Sequence, residues 1–160
     1  MTTSRGSALP AHLLELLSQA DLPSRLDRAL PLVTLDAGGR PHPMLCSYLE
    51  CRAVDSRTIR VVIGAGSGSA RNLEERQVAT LLIVEPERTV YVKCRAKGRA
   101  LAVGALQRFV LKVKEVLEDA PAEWEAGTRI TGGITYSPAP NFETPEVQAT
   151  LRLLRSERSD

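Results

Sequence analysis

The sequence predicts a mainly β fold with flanking helices, built around a six-stranded antiparallel barrel, and three observations carry that expectation. Short runs rich in β-branched residues are separated by compact turn clusters, as in Leu32-Val33-Thr34-Leu35 followed by Asp36-Ala37-Gly38-Gly39-Arg40. One segment alternates cleanly, with Val90, Val92, Cys94 and Ala96 on one face and Tyr91, Lys93, Arg95, Lys97 and Arg99 on the other. Helical periodicity is confined to the two ends and one interior stretch. A chain of 160 residues is most simply one domain, 1–160, with a core over about 30–137, N-terminal helices within 10–30 and a C-terminal helix over about 144–156.

The first seven residues are small and polar and read as disordered. From Pro10, suited to a first helical turn, Leu13, Leu14, Leu16 and Leu17 make an apolar helix face, and a short second helix is expected over Ser24 to Leu30. The first strand holds Leu32–Leu35, and the glycine-containing turn leads into a second over about Pro43–Val54. Asp55-Ser56-Arg57 turns the chain into a third strand, Thr58–Ile63, which delivers it to a Gly/Ser loop and a brief helix over about Ala70–Arg76. Val78–Val84 reads as a strand buried on both faces, and Glu85-Pro86-Glu87-Arg88 as the turn into the alternating fifth strand. Leu106, Phe109, Val110, Val113 and Leu117 form one helical stripe, predicting a long helix over Ala105–Leu117. A last strand is expected over Thr128–Tyr136, interrupted by Gly132-Gly133. After Pro138 and Pro140 a terminal helix begins near Thr144, with Val147, Leu151 and Leu154 facing inward.

A net charge of +2 with 25% charged residues describes an ordinary surface, giving no reason to expect nucleic acid or an anionic membrane as partner. Apolar runs such as Ala79–Val84 are too short to span a bilayer and no apolar signal segment opens the chain, so the protein reads as cytoplasmic. Cys46, Cys51 and Cys94 lie in apolar strand positions without metal-ligand spacing and read as buried free thiols; with only His12 and His42 besides, no metal site is expected.

The candidate binding element is Gly64-Ala65-Gly66-Ser67-Gly68-Ser69-Ala70-Arg71-Asn72. Glycines let backbone N–H groups turn toward an anion, the serines add donors, and Arg71 falls in the first helical turn, where the helix dipole favours negative charge. The same composition also serves as a plain connection. It is not a P-loop, since no Gly-Lys-Ser/Thr follows, nor a dinucleotide fingerprint, since a third glycine is missing. The basic face of the fifth strand reads either as a solvated edge or as a cationic wall for a ligand.

The run Leu30-Pro-Leu-Val-Thr-Leu-Asp-Ala-Gly-Gly-Arg-Pro-His-Pro43 resembles the opening hairpin of the pyridoxamine 5′-phosphate oxidase-like, FMN-binding split-barrel proteins. Ser69-Ala-Arg-Asn-Leu-Glu-Glu-Arg-Gln-Val-Ala-Thr-Leu-Leu-Ile83 resembles that family's helix start and following strand, and Ala96-Lys-Gly-Arg-Ala100 its basic-Gly-basic strand end. The resemblance covers about Leu30–Leu117 and implies a six-stranded antiparallel split β-barrel, assembled as a homodimer with FMN in a cleft between subunits. It places the phosphate on Ser67, Ser69, Arg71 and Asn72, and the ring along the second strand near Leu45 to Tyr48, Ser47 included, and the third near Ile63 and Gly64. Two departures stand out: Ser69 takes the place of a lysine common in this loop, and Ser47 stands near the place of a strand arginine. Arg71, Arg52 or the Lys93/Arg95/Lys97 face are the cations available in their stead.

His42, between two prolines beside a turn, reads as a surface residue or a ligand contact. Tyr48 reads as barrel wall or ring-stacking partner, and Trp124 as a packing residue. No Ser/His/Asp set or acid pair is visible, so any chemistry rests with a cofactor, and the catalytic residues are unknown from sequence. Two classes of function follow: an FMN-dependent oxidoreductase, or a non-catalytic module binding flavin, deazaflavin or haem on the same fold.

Overall fold

The computed structural model describes residues 1–86 and 88–157. In chain order the elements are β1 (Thr2–Ser4), α1 (Ala11–Leu17), β2 (Ala29–Leu35), β3 (Pro41–Ser47), β4 (Cys51–Asp55), β5 (Thr58–Gly64), α2 (Gly68–Glu75), β6 (Val78–Glu85), β7 (Arg88–Val103), β8 (Leu106–Asp119) and α3 (Pro145–Arg155). The protein is mainly β with flanking helices, and its strands form one antiparallel 8-stranded sheet in the order β3-β2-β6-β7-β8-β5-β4, with β1 added beside β8. The edge strands β3 and β4 are consecutive in the chain and joined only by Tyr48, Leu49 and Glu50. The sheet therefore curls until its edges approach at that turn, without a β3–β4 ladder among the described residues.

Alternation sets the interior. Leu30, Leu32 and Thr34 of β2, Leu81 and Ile83 of β6, Val90 and Val92 of β7, Phe109 and Leu111 of β8 and Ile59, Val61 and Ile63 of β5 are all buried. α1 covers this core with Leu13 and Leu17, and α2 with Ala70 and Leu73. On the outer face α3 packs Leu153 and Leu154 against Val62. Two buried arginines there meet the carboxyl end of α3. Arg60 Nη1 donates to Ser156 O at 2.9 Å, and Arg108 Nη1 donates to Leu153 O at 3.2 Å, Ser156 O at 2.9 Å and Ser156 Oγ at 2.8 Å. Cations suit a helix C-terminus, where carbonyls lack intrahelical partners.

Several sequence expectations are corrected. The stretch 105–117 is strand, not helix. Gly104, at φ +58°, and Ala105 form a tight hairpin loop, after which Phe109, Leu111 and Val113 alternate inward. A register shift opposite Lys93/Cys94 then inserts Lys114 and returns Val116 to the core. Before that bulge Leu106 and Val110 make the outer face apolar as well, Leu106 packing with Leu153 and Leu154 of α3, and the two faces together mimic a helical stripe. The expected strand 43–54 is two strands, because Ser47–Glu50 is a turn held by the Glu50 N–H on Ser47 O at 3.0 Å and by the Glu50 carboxylate on the Ser47 N–H at 2.6 Å. The expected helix over Ser24–Leu30 is a 3-10 turn over Leu22–Arg25, with β2 starting at Ala29. Thr128–Tyr136 forms no strand: it meets the sheet through the Arg28–Thr135 bridge, the Ala29 N–H on Ile134 O at 2.9 Å and the Tyr136 hydroxyl on Cys46 O at 3.3 Å. Thr2–Ser4 is ordered as β1: β5 pairs with β8 only from Lys112 back to Leu106, so Leu117–Asp119 offers an open edge that β1 takes.

Candidate functional site

The Gly/Ser loop and the β2–β3 hairpin meet at one end of the barrel. In the hairpin, Asp36 accepts the Arg40 N–H on Oδ1 at 2.9 Å, and Gly39 turns the chain at φ +76°. The Arg40 N–H above all, with the Arg40 charge and the Gly38 N–H, holds the Asp36 carboxyl below its ordinary value against an opposing desolvation effect. After β5, Gly66 at φ +74° reverses the chain and Ser67 caps α2, its Oγ accepting the Ala70 N–H at 3.1 Å. The N–H groups of Gly68 and Ser69 precede the first intrahelical bond, Arg71 N to Ser67 O at 3.1 Å, so the helix leaves them as donors. His42 of β3 lies over this terminus: a Cβ on Gly68 would stand 3.3 Å from its Nε2. The result is a groove of about 400 Å³ whose charged walls are Asp36, Arg40, Arg71 and Glu75, with His42 and Gly68 between them. Its base is fixed from within, since buried Asn72 donates from Nδ2 to Thr34 Oγ1 at 2.9 Å and Thr34 in turn donates to His42 O at 3.3 Å.

The expected site residues divide. Arg71 and Asn72 line this groove, though Asn72 spends its amide on Thr34, and Ser67 serves as the helix cap. Ser69 is turned inward, 2% exposed. Gly64 is open at the end of β5, while the Ile63 side chain sits in the core. Ser47 and Tyr48 lie at the far end of β3. Ser47 Oγ donates to Glu50 Oε2 at 3.0 Å, and Tyr48 OH donates to Glu85 Oε1 at 3.1 Å beneath the Arg25 guanidinium. Lys93 is on the outer face of β7, paired with Glu115 at 2.9 Å. Lys97 is exposed next to Ala96, whose N–H reaches Gln77 O just past the opposite end of α2. The groove residues that sequence reasoning missed or set aside are Arg40 and His42. The signal was present in the hairpin register, which pairs Thr34 with His42 and so aims His42 at the helix start.

The three cysteines are free and buried, and burial pushes every thiol up, Cys94 to about 12. Among the described residues no group of three or more His, Cys, Asp or Glu could hold a metal ion. No helix among them is long and apolar enough to cross a membrane.

A curled antiparallel sheet left open between consecutive edge strands, with a helix across one end, defines a split barrel. The family model described as pyridoxamine 5′-phosphate oxidase matches residues 25–129, more than half of the chain, and the chain belongs to that family. No curated protein matches it. Solved structures share the fold at low identity. A conserved hypothetical protein from Mycobacterium tuberculosis matches at 12% identity and TM-score 0.56, covering 82% of this chain and 98% of that one. An FMN-binding protein from Syntrophomonas wolfei matches at 13% and 0.54, covering 70% and 89%. PhzG from Burkholderia lata, solved with tetrahydrophenazine-1-carboxylic acid, matches at 16% and 0.54, covering 76% and 84%.

Proposed function

We propose that the chain binds FMN, with its phosphate in the groove at the start of α2, and acts as a flavin-dependent oxidoreductase. The observation that carries this is the convergence of Arg40, His42 and Arg71 on the capped helix terminus at Gly68. Gly68 and Ser69 offer N–H donors and Arg71 offers charge where the helix dipole already favours an anion, while Arg40 stands at the groove edge paired with Asp36 at 3.3 Å. The absence of a Cβ at Gly68 matters, because any side chain there would press on the His42 ring and fill the cradle. Thr34 and Asn72 keep α2 in register with β2 so that these donors converge. Bound FMN would supply hydride and electron transfer, chemistry that belongs to the cofactor while the protein binds and orients it.

Arg71→Ala is expected to weaken FMN by roughly 1.5 kcal/mol, about tenfold, the lower end for a hydrogen bond to a charged group because Arg71 is exposed. Riboflavin affinity and the unfolding midpoint should hardly change. Calorimetric titration with both ligands checks this. Equal affinities for FMN and riboflavin would mean that the groove takes no phosphate, and would favour a binding module that recognises a planar ligand elsewhere.

We further infer a homodimer. Leu82, Tyr91 and Leu117 stand in register across β6, β7 and β8, each only partly buried on the outer face. Such an apolar row is what a two-fold partner covers. Sedimentation should give twice the 17.4 kDa chain mass, and Leu82→Arg should return the monomer. A native chain that stays monomeric up to tens of micromolar would end this reading.

A further inference from the structure

A second groove, of about 300 Å³, opens on the outer side of β3 between the Ser47–Glu50 turn and α3. It is separate from the helix-start groove. His42 and Cys46 share the inward face of β3 by alternation, whereas Leu45 and Ser47 share the outward one. Its walls are apolar where Leu45, 45% exposed, faces Val147 of α3. Its polar groups are Glu50, the Tyr136 hydroxyl and, at the rim, the exposed Glu146.

Glu50 is the unusual member. Its Oε2 accepts the Ser47 N–H at 2.6 Å and the Ser47 hydroxyl at 3.0 Å, which fixes the carboxylate, while Oε1 accepts no hydrogen bond among the described residues. Burial pushes its carboxyl up from the ordinary value, the two Ser47 bonds offset this in part, and no neighbouring cation among the described residues contributes. Tyr136 adds no positive charge, since its OH donates to Cys46 O at 3.3 Å. A carboxylate fixed through one oxygen, with the other free and no cation beside it among the described residues, offers that oxygen to the positive group of a ligand. An apolar trough with one fixed acidic group at its base and a second acid at its rim is complementary to an organic ammonium carrying an apolar body.

We propose that this groove binds a small organic cation, its ammonium group on Glu50 and its apolar portion between Leu45 and Val147. The test uses no flavin and is read apart from the FMN titration. The full chain is titrated with 2-phenylethylammonium and with its neutral isostere 2-phenylethanol, followed by amide shifts at Glu50 and Val147. The ammonium ion should bind at least about tenfold more tightly than the alcohol, as a charge-assisted contact requires. Glu50→Gln, which keeps an acceptor for Ser47, should abolish that preference while leaving alcohol binding in place. Thr150→Trp, on the α3 side of the groove, should weaken both ligands and serves if the first variant does not fold. Equal affinity of the two ligands, absence of shifts with either, or an ammonium preference that survives Glu50→Gln would overturn the proposal.

Discussion

Arg108→Ala should lower the unfolding free energy by about 3 kcal/mol and the melting midpoint by roughly 6–12 °C for a chain of this size. Arg108 is 1% exposed, and its Nη1 serves three acceptors at the end of α3, on Leu153 and Ser156. Truncation removes a charged donor from a helix C-terminus, leaves the buried Leu153 carbonyl without that donor, and empties volume beside Val62 and Leu154. The loss is a large part of the 5–15 kcal/mol that holds a typical domain. Urea unfolding measures the total, and hydrogen exchange locates it: amides of Leu151–Leu154 should lose protection before those of β5 and β8. A destabilisation under about 1 kcal/mol would mean that α3 is held by its leucines alone.

Glu85→Ala should cost about 2–3 kcal/mol. One carboxylate gathers Arg25 at 3.3 Å, Arg28 at 3.1 Å and the Tyr48 hydroxyl at 3.1 Å, and the Arg25 guanidinium lies 5.6 Å from the centre of the Tyr48 ring. Tyr48 is 4% exposed, so without Glu85 its hydroxyl is buried with no acceptor, which is the larger part of the loss. The ion pairs contribute less, because Arg28 remains 40% exposed and water screens it. Coupling to Tyr48→Phe separates these effects. In the phenylalanine background the same substitution should cost about 1.5–2 kcal/mol less, whereas strict additivity would show that the hydroxyl bond contributes nothing.

Local patterns made much of this architecture legible. The Asp36–Arg40 hairpin, β5 leading into a capped helix, the alternation of Val90 to Ala96 and the Thr144 start of α3 all follow from turn chemistry and periodicity. What escaped were features where a distant partner overrides the local pattern. β8 hides its period of two because α3 covers part of its outer face and because the Lys114 bulge shifts its register on β7. The Ser47–Glu50 turn has no glycine or proline to announce it and is made by a glutamate folding back on Ser47. At the site, Arg71 and the Ser67 cap could be read from the loop, but His42 could not be assigned until the β2–β3 register brought it over Gly68. Ser47 and Tyr48, neighbours in sequence, serve different surroundings because the turn sends their side chains apart.

The attachment of β1 to β8 bears on how the chain folds and stays soluble. Thr2 and Asp119 are 117 positions apart, and closing so long a loop in an unstructured chain costs about 4 kcal/mol in entropy, as much as the bonds of one short strand return. β1 therefore docks after the rest of the sheet has brought Asp119 near the N-terminus, and it belongs to the last structure formed. Until then Leu117–Asp119 presents unsatisfied backbone N–H and C=O groups along an open edge, the surface on which strands of separate chains pair. Residues that read as a polar tail thus work as an edge guard, closing a route to aggregation at the end of folding.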